Sequence, residues 1–129
     1  MTRPIVKIIL RWLATIFFLI AGAMHFVIPE FYLAMMPPFI PFQSFFVVLT
    51  GIAEMAGGVG LQIPKLRRLT GILMIAMLVA IFPANIYVAI AQPALPDITY
   101  SSGSMWLRLL LQPLFIAWVW FVSLKKENQ

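Results

Sequence analysis

Apolar positions along this chain gather into four long runs, each interrupted by a few polar residues and bounded by proline-bearing or basic turns. A helix rises about 1.5 Å per residue and needs about 20 apolar residues to cross the hydrocarbon core of a bilayer. The pattern predicts spanning helices over residues 6–28, 42–63, 67–91 and 104–124. Pro29 and Pro64 end the first two, because proline lacks the N–H that continues a helix. Pro83 and Pro113 fall inside the last two, where each frees a carbonyl; a kink is expected at Pro83. Residues 29–41 hold four prolines among Phe, Tyr and Met, with no Lys or Arg. They read as an interfacial loop with at most a helical turn around Phe31–Met36. Residues 65–68 form a tight basic turn, and residues 92–104, with Pro93, Pro96, Asp97 and Gly103, form a second loop.

Composition fixes the class. The 129 residues are 63% hydrophobic and 10% charged, against about 25% charged in a soluble domain. The expected fold is all-α: one integral membrane domain over residues 1–129, an antiparallel four-helix bundle with no extramembrane domain. The basic start, apolar centre and Ala21-Gly22-Ala23 imitate a secretory signal, but the segment is read as a retained spanning helix.

The net charge of +5 does not point to nucleic acid, because the basic residues sit where membrane insertion places them. Arg3, Lys7, Arg11, Lys65, Arg67, Arg68, Lys125 and Lys126 fall on one side of the four spans, and only Arg108 falls toward the other, with the acids Glu30 and Asp97. Positive residues stay inside, so both termini are expected in the cytoplasm of a bacterium, in a multi-pass inner-membrane protein. The absence of cysteine excludes disulfides, thiol exchange and thiolate metal sites. A single histidine, His25, excludes a bis-histidine haem within one chain. No metal site and no covalent cofactor are expected.

The candidate chemistry starts from Glu54, near the middle of the second run. A charge at mid-membrane costs roughly 2.5–3.5 kcal/mol on insertion scales, so it must face protein or a wet cavity. On a helix it shares a stripe with Thr50, Gly51, Gly57 and Gly58. In the expected topology His25, Glu54, Asn85, Arg108 and Gln112 all lie in the outer half of the membrane or near its midplane. They are expected to converge on one pocket open to the outer side. Glu54 and Arg108 would form an ion pair, with Arg108 reaching inward or His25 or Gln112 bridging. The inner half is expected to hold no such group beyond terminal basic residues.

Plainer readings use the same residues. A Glu54–Arg108 pair can serve only to fix helix register, and His25 can be a satisfied core histidine. Asn85 and Gln112 can bond carbonyls freed by Pro83 and Pro113. Gly51, Gly57 and Gly58 can mark close helix packing, and the eight methionines can be core filler. What favours a site is the shared depth. A carboxylate beside a histidine can relay protons. The aromatic and Met-rich stretch from Phe31 to Phe46 suits a flat apolar ligand arriving from the lipid, with polar groups to bond its oxygens. A quinone fits that description, as do other amphipathic molecules. There is no nucleophilic triad and no phosphate-binding glycine loop.

The chain resembles the DoxX-like family of small four-helix membrane proteins. The resemblance rests on Ala21-Gly22-Ala23-Met24-His25-Phe26 with Pro29, Tyr32 and Pro37-Pro38; on Gly51-Ile52-Ala53-Glu54 with Gly57; and on Pro64-Lys65-Leu66-Arg67-Arg68. It continues through Phe82-Pro83-Ala84-Asn85-Ile86-Tyr87, Trp106-Leu107-Arg108 and Leu111-Gln112. It implies a quinone- or redox-linked membrane role, as an accessory or subunit, and distant relatives imply chaperoning of membrane proteins. Fold analogy alone does not decide function.

The leading expectation is a bundle whose outward-facing pocket binds a quinone-like or other small amphipathic ligand, serving a membrane redox system through a membrane or periplasmic partner. Glu54 would be the proton carrier, Arg108 its counter-ion, and His25, Asn85 and Gln112 ligand contacts. Catalysis is left open. The alternatives are a non-catalytic assembly factor that docks clients through its glycine stripe, and a small proton-coupled transporter acting as a homo-oligomer.

Overall fold

A computed structural model describes residues 2–95 and 99–126. Pro96 and Asp97 of the second loop lie outside the described residues, as does the side chain of Arg3. The described chain is all-helical: α1 (Thr2–Val27), α2 (Pro29–Met35), α3 (Gln43–Gly60), α4 (Arg67–Ala91) and α5 (Ser102–Ser123). Four of the five, all but α2, are long and apolar enough to cross a membrane, as a multi-pass membrane protein requires. Their outward faces carry large exposed apolar side chains such as Ile9, Ile20, Leu73 and Leu110.

Helix α1 begins at Thr2, four residues before the expected start, and α5 at Ser102, two before; two further differences have a local cause. The stretch after Pro29 is a full helix, α2, because proline at the first helical position costs no hydrogen bond. Glu30 in its first turn also suits the positive end of the helix. Helix α3 stops at Gly60, not at Ile63. The N–H groups of Gln62 and Ile63 turn to the carbonyls of Val59 and Gly60, the tighter i→i+3 pattern that closes helix ends. At its other end Phe42 takes a left-handed φ of 55°, uncommon for a bulky residue.

The most extensive packing joins α1 to α3 and α4 to α5. Both pairs run in opposite directions: Thr15 meets Gly58 while Gly22 meets Gly51, and Gly71 meets Ser123 while Leu78 meets Gln112. In lipid, helix association draws on close packing rather than on the hydrophobic effect, so small residues matter at crossings. A Cβ on Gly22 would stand 2.6 Å from the Gly51 carbonyl oxygen, and one on Gly51 would stand 2.8 Å from the His25 Cβ. Two apolar clusters result. One gathers Ala14, Phe18, Leu61, Met74, Leu78, Val119 and Val122. The other, at the opposite end, gathers Met35, Val88, Leu95 and Met105.

Basic side chains close the helix ends beside the first cluster. Lys7 donates to the Lys125 carbonyl, Arg11 to Val122 and Arg67 to Leu61. Cations at helix C-termini satisfy the orphan carbonyls and suit the dipole. The half of the spans beside the termini is not free of other polar groups. Thr15, buried in α1, donates to the Gly58 carbonyl at 2.8 Å and accepts from Gln62 at 2.8 Å. The expectation of an inner half holding only terminal basic residues is therefore corrected; a threonine in an apolar run does not stand out by hydropathy.

Candidate functional site

The site begins at the Gly22–Gly51 crossing, which draws the backbones of α1 and α3 together one turn below His25. That approach places the His25 ring against α3. Nδ1 lies 3.0 Å from the Val47 carbonyl oxygen and 3.3 Å from Thr50 Oγ1. The Thr50 hydroxyl donates to the Phe46 carbonyl at 2.8 Å. A carbonyl only accepts, so Nδ1 carries a hydrogen and donates. Tyr32 of α2 stacks on the ring, centroids 3.9 Å apart, and fixes its plane.

The other ring nitrogen then faces the acid. Nε2 lies 3.4 Å from Glu54 Oε2. This oxygen is buried and has no hydrogen bond. With Nδ1 occupied, an unprotonated Nε2 would set a lone pair against a carboxylate. The contact is favourable only with one proton between them, as carboxylic acid facing imidazole or carboxylate facing imidazolium. Either form leaves the pair neutral.

A second polar chain links α4 to α5. The Asn85 side-chain amide donates to Gln112 Oε1, and Gln112 Nε2 donates to the Leu78 carbonyl at 2.6 Å. Pro83 frees the carbonyl four residues back, that of Val79, and neither amide bonds a carbonyl freed by its neighbouring proline: Asn85 bonds Gln112, and Gln112 reaches across from α5 to the adjacent Leu78 carbonyl.

Arg108 corrects a further expectation. It forms no ion pair with Glu54; its guanidinium donates to the Met35 thioether on α2. Helix α2, folded under the ends of the spans, intercepts the arginine before it can reach Glu54. The glycine stripe also divides. Gly51 and Gly58 pack on α1, while Gly57 meets Met74 of α4.

His25, Glu54, Asn85, Arg108 and Gln112 all line one cavity of about 550 Å³, together with Tyr32 and Thr50. All five helices contribute. Phe18 and Leu78 of one apolar cluster floor it, and Met35 and Val88 of the other roof it. Tyr32, Met35, Met36, Ile40 and Phe46 from the aromatic and Met-rich stretch form part of its wall. The volume falls in the range of about 300–1,000 Å³ typical of small-molecule sites, which are mostly apolar with a few placed polar groups. Burial pushes the Tyr32 hydroxyl above the ordinary tyrosine range; the Glu54 charge acts in the same sense and Arg108 opposes it. Tyr32 is therefore a neutral donor at physiological pH. Its role was missed in the sequence, where only a helix at 29–35 would have aimed it at His25. No group of three or more metal-ligating side chains occurs among the described residues.

The family described as a domain of unknown function, DUF8561, matches residues 13–123. That span holds every residue lining the cavity, from Phe17 to Phe115. No curated protein and no solved structure matches the chain.

Proposed function

We propose that this chain, which belongs to the DUF8561 family, binds a quinone-like or other small amphipathic ligand in the cavity between its helices. In this reading it is a subunit or accessory of a membrane redox system. The observation that carries the reading is the His25–Glu54 contact at the cavity wall, 3.4 Å long, which is favourable when one proton lies between the two groups. A ligand oxygen beside Glu54 can accept that proton, passed from Nε2 of the fixed His25 ring through the Glu54 carboxylate; the pair is then left with one negative charge until a proton from outside the cavity restores it. Asn85 and Gln112 offer further amide groups in the lining, and its apolar part receives the ligand's body.

The finer architecture belongs to the same proposal: an antiparallel four-helix bundle in the bacterial inner membrane, both termini cytoplasmic and the cavity opening to the outer face. The side bias of Lys65, Arg67, Arg68, Lys125 and Lys126 supports it. The likeness to the DoxX-like family supports a redox setting and a membrane or periplasmic partner. The assembly-factor alternative loses its docking surface, because Gly51, Gly57 and Gly58 are buried against the chain's own helices.

The test is native mass spectrometry of protein extracted from membranes in a neutral detergent. A small-molecule adduct on the unmodified chain, absent from Ala84→Phe, which fills the cavity, is expected. An adduct-free chain whose melting temperature is also indifferent to added naphthoquinone would refute the reading.

A further inference from the structure

We infer that the ligand carries a single negative charge, seated on Arg108. This rests on the reading of the cavity as a ligand site and narrows its occupant to an amphipathic monoanion, such as an aromatic acid or an ionised hydroxyquinone.

The inference follows from charge and hydrogen-bond capacity around the cavity. Arg108 is always cationic and brings five N–H donors. Its hydrogen-bond partner is the Met35 sulfur, a weak and neutral acceptor. No carboxylate of the described residues lies within 4.0 Å of it. The acid on the same cavity wall, Glu54, is engaged with His25, and that pair is neutral when it holds its proton. The remaining polar groups are neutral. Asn85 and Gln112 bond each other and Leu78, and Thr50 bonds Phe46. Tyr32 is an un-ionised phenol. The wall thus supplies one positive charge and no anion bonded to it.

Charges inside a membrane protein are paired. A monoanion beside Arg108 makes the complex neutral, with the His25–Glu54 pair holding its proton. A neutral ligand leaves the guanidinium unpaired, and a dianion or a cation leaves net charge of either sign. A carboxylate also matches the planar fork of the guanidinium in two parallel hydrogen bonds. Phe17, Phe115, Met77 and Ile81 on the same wall suit a flat apolar body.

The experiment compares naphthoate with naphthamide, which share shape and differ in charge, by equilibrium binding to the full chain in a neutral detergent. Naphthoate is expected to bind at least about tenfold more tightly to the unmodified protein, the scale of a charge-assisted hydrogen bond. That advantage is expected to vanish in Arg108→Gln and to shrink but persist in Arg108→Lys, which keeps the charge and loses the fork. Equal affinity for the two probes in the unmodified protein would overturn the inference while leaving the cavity as a ligand site; that comparison needs no variant to fold. An advantage that persists in Arg108→Gln would also overturn it, since the charge would sit elsewhere. If naphthoate, naphthamide and naphthoquinone all fail to bind, both the inference and the cavity reading fall.

Discussion

Nε2 of His25 and Oε2 of Glu54 stand 3.4 Å apart across the α1–α3 crossing, and Nδ1 of the same ring is held by the Val47 carbonyl. The two partners are therefore unequal under mutation. In Glu54→Gln the neutral amide can still donate to Nε2, so a loss of about 1 kcal/mol is expected. In His25→Leu the acid loses its partner and the Val47 contact goes too, so about 3 kcal/mol or more is expected. Equilibrium unfolding in mixed micelles measures both. Equal losses would contradict a proton-sharing pair.

The Gly22–Gly51 crossing sets the position of His25. Gly51→Ala puts a Cβ 2.8 Å from the His25 Cβ, and Gly22→Ala puts one 2.6 Å from a backbone oxygen. Neither neighbour can swing away, so both changes are expected to lower stability by about 1–3 kcal/mol, the range of overpacking. Gly57→Ala meets only the flexible end of Met74, and Gly103→Ala meets nothing within 4 Å. Thermal unfolding should rank Gly22 and Gly51 well above Gly57, with Gly103 near zero. A loss at Gly103 as large as those at Gly22 and Gly51 would show that the crossing does not decide the series, since alanine favours a helix over glycine.

Asn85 and Gln112 form one unit with the Leu78 carbonyl. A double-mutant cycle over Asn85→Ala and Gln112→Ala should return a coupling energy of about 0.6 kcal/mol, up to about 1.7. Strictly additive losses would mean that the two amides act independently.

The Tyr32 hydroxyl sits above the ordinary tyrosine range because of burial, with Glu54 raising it further and Arg108 working against both. His25 stacks on the same ring. An acid whose folded value is raised holds its proton longer in the native state than in the unfolded one. Its contribution is complete below about pH 10, the unfolded tyrosine value, and is lost as pH rises through the folded value. The alkaline fall in stability should be shallower in Tyr32→Phe. An identical alkaline limb would place Tyr32 in water.

Four apolar runs and their prolines made the spanning helices legible, because length and hydropathy alone decide them. The polar residues were legible as a set, because each interrupts an apolar run. Their pairing was not. Glu54 was expected to meet Arg108, yet helix register at the Gly22–Gly51 crossing gives Glu54 to His25, and α2 takes Arg108 through Met35. Prolines at 29, 37, 38 and 41 hid α2, since the first of them starts a helix instead of breaking one. Thr15 and Gln62 escaped notice because their partners, each other and the Gly58 carbonyl, come from different helices and a turn.

Saturable binding of naphthoquinone to the full chain, measured beside Ala84→Phe, tests the ligand site most directly. One site per chain in the unmodified protein, abolished when the cavity is filled, is the expected result. Non-saturable uptake, or equal binding by both proteins, would mean that the space beside Glu54 and His25 holds no ligand.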